Sequence, residues 1–219
     1  MIIYGRRHMS TIDVDDQVSA AIHPARAAAG AIAATIACVM PVFMVGGLAV
    51  QMAAELGFSP AGLGLAVSAY FGVSALASLP TGALVERYGP ANLARAGILL
   101  SATVMLAIGV LAQSYVALLG LLAASAVANA LGQLASNSAL AHHVPPGRQG
   151  LSFGLKQAAI PASTLLAGAA VPTIALSAGW RWAFIAAAAV AVTALPAVPN
   201  SRRTTTRATG DATRNTGGL

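Results

Sequence analysis

Apolar residues run through this chain in long unbroken stretches, and the charged residues fall between them: the intervals 27–54, 56–85, 96–147, 157–180 and 182–201 contain no Lys, Arg, Asp or Glu. A hydrocarbon core about 30 Å thick is crossed by roughly 20 residues of helix at about 1.5 Å each, so every interval is long enough to span. The third is about twice that length, and its polar centre at Gln113, Ser114 and Tyr115 folds it into a hairpin. Six spans result, near residues 27–50, 61–85, 93–112, 116–141, 157–177 and 182–199. The runs lack the two-residue alternation of a membrane barrel, and a lone strand would leave amides unpaired in lipid. The fold class predicted is therefore all-α, a polytopic membrane bundle.

Composition agrees: of 219 residues 57% are apolar and 8% charged, far from the roughly 25% charged of a soluble domain. Basic residues concentrate on the cytoplasmic side of membrane proteins. With six spans and both termini inside, Arg6, Arg7, Arg26, Arg87, Arg95, Arg148, Lys156, Arg202, Arg203, Arg207 and Arg214 are cytoplasmic and only Arg181 is outside, eleven against one. The net charge of +6 then reflects topology and attraction to anionic headgroups, not a nucleic-acid-binding face, for which no base-reading or stacking groups are visible. Residues 1–26 read as a mobile cytoplasmic leader, not a cleaved signal, since Asp13, Asp15 and Asp16 dilute its basic character; Met9 is an alternative start. Residues 200–219, rich in Thr, Gly and Arg, read as a disordered cytoplasmic tail. Cys38, the single thiol, reads as a small apolar group packed in span one.

The loop after span two reads Gly82-Ala83-Leu84-Val85-Glu86-Arg87-Tyr88-Gly89-Pro90. Its glycine, acidic–basic pair and second glycine resemble the loop signature of the major facilitator superfamily of secondary transporters. Gly82 is expected to let helices approach, Glu86 and Arg87 to hold charge at the water boundary, and Gly89 to make the tight reversal before Pro90. Glu86 stands where the family usually has Asp, and Pro90 and Ala91 where it has basic residues, with Arg95 a partial substitute one turn on. A second likeness is the fifth-span region, Arg148, Gly150, Gly154, Pro161 and Gly168, followed by Gly179-Trp180-Arg181-Trp182-Ala183-Phe184; there Trp180 and Trp182 suit the headgroup belt and Arg181 can meet phosphates. The stretch Ala167–Pro172 does not match the family's antiporter element, so antiport does not follow.

The resemblance implies two six-helix halves with solute held between them at the midplane. This chain has apolar intervals for one, the N-terminal half; in the family the acid at Glu86 locks against the second half, so either another polypeptide, a second six-helix half or a second copy of the chain in a homodimer, supplies the partner or the lock is not made. Candidate solute contacts come from span four, where Ser125, Asn129, Gln133 and Asn137 recur every fourth residue along one face. Polar side chains in lipid must face helices or a cavity, so the stripe reads either as a solute-binding wall or as interhelical glue. Lys156 and Gln157 open span five; the ammonium would bind an anionic solute or, the reading favoured here, snorkel to the cytoplasmic face as an anchor. His142 and His143 read as solvated interfacial groups, and Thr35, Ser68, Tyr70 and Ser74 rank low as ligand contacts.

No mid-membrane carboxylate is present, which weakens proton coupling in this unit. No spacing suggests a metal or cofactor, and no Ser–His pair on facing spans suggests an intramembrane enzyme. The predicted function is transport of a small solute by alternating access across the plasma membrane. The alternative is a non-transporting fragment or membrane interaction partner.

Overall fold

In a computed structural model the chain is described over residues 11–199, with side chains from Pro24 onward; the N-terminal ten residues and the tail from 200 lie outside the described residues. Six helical spans are long and apolar enough to cross a membrane: Pro24–Gly47, Pro60–Tyr88, Pro90–Leu111, Tyr115–His143, Pro146–Ala178 and Trp180–Ala197, spans one to six below. Two differences from the sequence reading stand out. The first helix extends back to Thr11, through Pro24 and into the segment read as a leader. Span five begins at Pro146 instead of Gln157, because Lys156 does not interrupt the helix but is buried within the bundle.

Local sequence explains most of the boundaries. After span one a short helix, Ala49–Leu56, ends at Gly57 in the left-handed conformation (φ 70°), and Ser59 caps span two by accepting from the Gly62 N–H at 3.2 Å. Ser114 caps span four in the same way, accepting from Ala117 N–H at 3.2 Å. Spans two and three meet at Gly89 (φ 83°, ψ 151°), and spans five and six at Gly179 (φ 93°, ψ 156°), one nearly Gly-only conformation making both reversals. The tight turn expected of Gly89 is thus present.

Span one is the most buried, 67% of its apolar window, against 17% for span two. Spans one, three and four form the interior; spans two and five pack on it and turn much of their surface outward. With no hydrophobic drive between helices in lipid, close backbone approach must supply the packing. The tightest junction joins spans one, three and four at Cys38, Gly97 and Gly132. A Cβ on Gly132 would lie 2.6 Å from Cys38 Sγ, and one on Gly97 would lie 3.2 Å from that sulfur. Cys38 is fully buried there, the packed role the sequence suggests. Gly82 differs from expectation: a Cβ there would meet nothing within 4 Å, since the outward surface of span two at that point has no helix against it.

Prolines inside helices free carbonyls, and the bundle finds donors for at least one of them. Pro41 in span one cannot donate to the Ala37 carbonyl, which instead accepts from Ser101 Oγ of span three at 2.6 Å. Tyr70 of span two donates to the Cys38 carbonyl at 3.2 Å, Ser136 of span four to that of Ala31 at 3.2 Å, and Tyr115 to that of Gly62 at 2.8 Å. In span five Pro161 follows a break at Ala158, and Pro172 lies in a wide turn at Val171–Ala175.

Spans three and six run antiparallel and exchange arginines. Arg181, at the start of span six, donates to the carbonyls of Gly109 (3.4 Å) and Ala112 (2.9 Å) at the end of span three. Arg95, near the start of span three, donates to Val198 at the end of span six at 2.9 Å. Each cation meets the orphan carbonyls and negative dipole end of the other helix.

Candidate functional site

The span-four stripe divides into three parts. Ser125 is fully buried and donates to the Leu122 carbonyl of its own helix at 2.7 Å, so its hydroxyl is committed to the backbone. Asn129, the middle residue of Tyr115–His143, donates through Nδ2 to Oγ of Ser74 at 2.9 Å, and Ser74 is the middle residue of Pro60–Tyr88. The two spans are therefore tied at their centres. Asn129 Oδ1 is buried with no hydrogen-bond partner among the described residues, an exposed liability in a low-dielectric setting.

Gln133 and Asn137 turn toward span five. Lys156 Nζ donates to Gln133 Oε1 and, at 2.9 Å, to Asn137 Oδ1. Only 2% of Lys156 is exposed. This corrects the snorkelling expectation: the ammonium sits ten residues, about 15 Å of helix, inside span five and has turned to span four instead of water. The reason is electrostatic. Two carboxamide oxygens one turn apart present their negative dipole ends together, offsetting part of the cost of desolvating a cation, which in protein interiors amounts to several kcal/mol. Gln157, next along the helix, is exposed and not drawn into the cluster.

The other candidates fall elsewhere. Glu86 and Arg87 are exposed at the end of span two, the Arg87 guanidinium 5.3 Å from the Tyr88 ring centroid. His142 and His143 are exposed, each Nδ1 lying 2.7 and 2.9 Å from the carbonyls of Ser138 and Ala139. Thr35 Oγ1 donates within span one to Ala31, Ser68 is exposed, and Tyr70 is fully buried. Ser74, ranked low from sequence, is the partner of Asn129; its place at mid-span was the available signal.

The opposite end of the bundle holds a cluster that sequence reading missed. Glu55 accepts from Arg181 Nη2 at 2.7 Å and Nε at 3.2 Å through Oε1, and from Trp180 Nε1 at 2.6 Å through Oε2, while the guanidinium lies 4.4 Å from the Trp180 ring centroid. The hydrogen bonds from Arg181 and then Trp180 hold the Glu55 carboxyl below the ordinary carboxylate range. Arg181 is thus committed to Glu55 and to span three rather than to lipid phosphate, as the short helix after span one delivers an acid to it. Glu55 and Arg181, single opposite charges at the ends of long uncharged intervals on one predicted side, were the signal.

Chemically, the mid-bundle groups offer hydrogen bonds and one positive charge in an apolar surround, groups of the kind that can fix a small polar molecule. A comparison with curated proteins finds no match. The family described as Major Facilitator Superfamily matches residues 31–215, from within span one to beyond span six. The loop signature, the six spans and this match over most of the sequence agree: the chain belongs to the major facilitator superfamily of membrane transporters.

Proposed function

We propose that the chain forms one six-helix unit of an alternating-access carrier and that a small solute is held along Asn129, Gln133, Asn137 and Lys156. The observation that carries this reading is the buried Lys156 ammonium on two carboxamides, with the Ser74–Asn129 pair farther up the same face of span four. Polar groups in a bilayer interior are costly and face a partner or a pathway. The carrier is a multi-pass protein of the plasma membrane with both termini cytoplasmic, a topology supported by the distribution of basic residues.

The unit works against a second six-helix unit or a second copy of itself. Added Cβ atoms at Gly64 and Gly72 of span two, or at Gly154 and Gly168 of span five, would meet nothing within 4 Å, so both spans keep small-residue surfaces open to close approach. Glu86, exposed at the end of span two, is the acid that the family's interdomain lock would use. The same open surfaces favour a second reading, a membrane protein that only associates with other transporters.

Uptake by proteoliposomes decides between them. The full chain, alone and with added second units, is given radiolabelled acetate, glycine, choline and glucose. Saturable uptake of at least one probe, lost in an Asn129→Ala/Gln133→Ala double variant that still inserts and folds, is the expected result. Uptake indifferent to that change, or no saturable uptake in any combination, refutes the carrier reading.

A further inference from the structure

We infer that the Lys156 cluster is a carboxylate site, so that the solute is a small monovalent organic acid anion. The inference rests on the cluster facing the solute, as proposed above, and goes further through a count of donors and acceptors. An ammonium has three N–H donors and no acceptor. Two of them go to Gln133 Oε1 and Asn137 Oδ1. Because Lys156 can only donate, it forces both carboxamide oxygens toward itself, which settles the orientation of each amide. The outer ends of Gln133 and Asn137 are therefore their NH2 groups. Each NH2 is on the same carbon as the oxygen that Lys156 holds, and with Gln133 half-buried and Asn137 exposed these donors stay beside the ammonium.

What remains unspent at the cluster is one ammonium N–H and four amide N–H, all donors. The oxygens of Gln133 and Asn137 are both turned to Lys156, and the unpartnered oxygen among the described residues, Asn129 Oδ1, lies a turn farther along span four, beside Ser74 and not at the ammonium. A hydroxyl, an amine or a sugar needs acceptors as well as donors; a carboxylate is acceptor-only and uses two to four such N–H groups.

Charge points the same way. Among the side chains described, from Pro24 onward, the acids are Glu55 and Glu86, the first paired with Arg181 at the far end of the bundle, the second exposed at the end of span two. Neither forms an ion pair with Lys156, so among these side chains the ammonium meets neutral dipoles alone. One uncompensated positive charge at this depth selects a ligand of charge −1, whose entry completes an ion pair in a low-dielectric site. The oxyanion of a lipid headgroup shares that chemistry, and the test separates the two sources.

The test is thermal unfolding of the purified full chain in neutral detergent, titrated at constant ionic strength with sodium acetate, sodium benzoate or tetramethylammonium chloride, and separately with phosphatidylglycerol in the micelles. A saturable rise of Tm with acetate or benzoate, and none with tetramethylammonium, is expected. Lys156→Gln should weaken the half-saturating concentration by about tenfold or more, as loss of a charge-assisted hydrogen bond predicts. Gln133→Glu supplies the missing carboxylate from the protein itself: it should raise Tm without ligand and abolish the response to acetate, an outcome that interhelical glue would not produce and one that remains readable should Lys156→Gln fail to fold. A response equal in wild type and Gln133→Glu, saturation by tetramethylammonium, or a response confined to phosphatidylglycerol overturns the inference. Since no step requires uptake, acetate binding with no saturable uptake of any probe would sink the carrier reading and leave the carboxylate site standing.

Discussion

Replacing Gly132 with Ala adds one methyl group where spans one and four touch. The new Cβ would lie 2.6 Å from Cys38 Sγ and 2.8 Å from Cys38 Cβ, whereas carbon atoms in good contact sit about 3.5–4.0 Å apart. A change of χ1 can swing the sulfur aside, although Gly97 closes on it from span three. It cannot move Cys38 Cβ, which the backbone of span one carries. The helices must therefore part by close to 1 Å, loosening the Ser101–Ala37 bond next to the junction. Overpacking of this kind costs about 1–3 kcal/mol, sometimes more, and the better helix propensity of Ala returns about 1 kcal/mol. A net loss of about 1 kcal/mol, or more where the cost is at the upper end, corresponds to a fall in Tm of roughly 2–4 °C per kcal/mol for a chain of this size.

Fluorescence-detected thermal unfolding in detergent measures the change, and a double-mutant cycle assigns it. Cys38→Ala removes the sulfur but keeps the 2.8 Å contact, so it should rescue Gly132→Ala only in part. Cys38→Gly removes both atoms and should eliminate most of the penalty within the cycle. Gly120→Ala is the control: a Cβ there meets nothing within 4 Å, and the change should be neutral or stabilising by up to about 1 kcal/mol. A Gly132→Ala variant as stable as wild type, or a coupling to Cys38 near zero, would refute the account of the junction.

Two further outcomes follow from other contacts. Glu55 has its pKa lowered from an ordinary value of 4.5 by Arg181 and Trp180, so its stabilisation is complete above about pH 4.5 and fades as pH falls through the depressed value; Glu55→Gln should lower Tm at pH 7, by no more than about 1 kcal/mol equivalent because the group is 49% exposed, with the difference from wild type shrinking in a pH series below 4.5. Ser101→Ala strands the Ala37 carbonyl and should cost about 1–3 kcal/mol in the same thermal assay, while Pro41→Ala, which restores a backbone N–H for that carbonyl, should recover much of the loss in the Ser101→Ala background but not in wild type.

The six spans were legible because lipid imposes a one-dimensional condition: about 20 consecutive apolar residues, read without knowing any neighbour. Span five shows where that condition fails. Its first turns contain Arg148, Gln149 and Lys156, so hydropathy starts the span eleven residues late; only Gln133 and Asn137, a span away, make the buried Lys tolerable. Within the site, the stripe at 125, 129, 133 and 137 was visible from its spacing, but a four-residue step on a helix of 3.6 residues per turn drifts by about 40°, which carries it from span two at Asn129 to span five at Asn137. Spacing names a face and not the helix opposite it. Ser125 was indistinguishable from the others until its hydroxyl was found bonded to its own backbone.

The interior cations share one lesson. Lys156 and Arg181 were each assigned by their distance from water along the sequence, to a snorkelling anchor and to a lipid phosphate. Both instead meet acceptors far away in the chain, Gln133 23 residues back and Glu55 126 residues back. Arg95 does the same, reaching Val198 across 103 residues. A long cationic side chain at a helix end has two ways to be satisfied, water or a neighbouring helix, and sequence distance measures only the first. In a bundle of antiparallel spans the second is supplied systematically, because each helix start lies beside another's orphan carbonyls. Arg95 and Arg181 follow that rule and so are structural. Lys156 does not: it lies ten residues into span five, in the last turn before the break at Ala158, and the acceptors it meets are side chains of span four, not the orphan carbonyls of another helix end. Capping thus accounts for Arg95 and Arg181 but not for Lys156, whose acceptors are two carboxamides of span four; that difference is what the acetate titration probes.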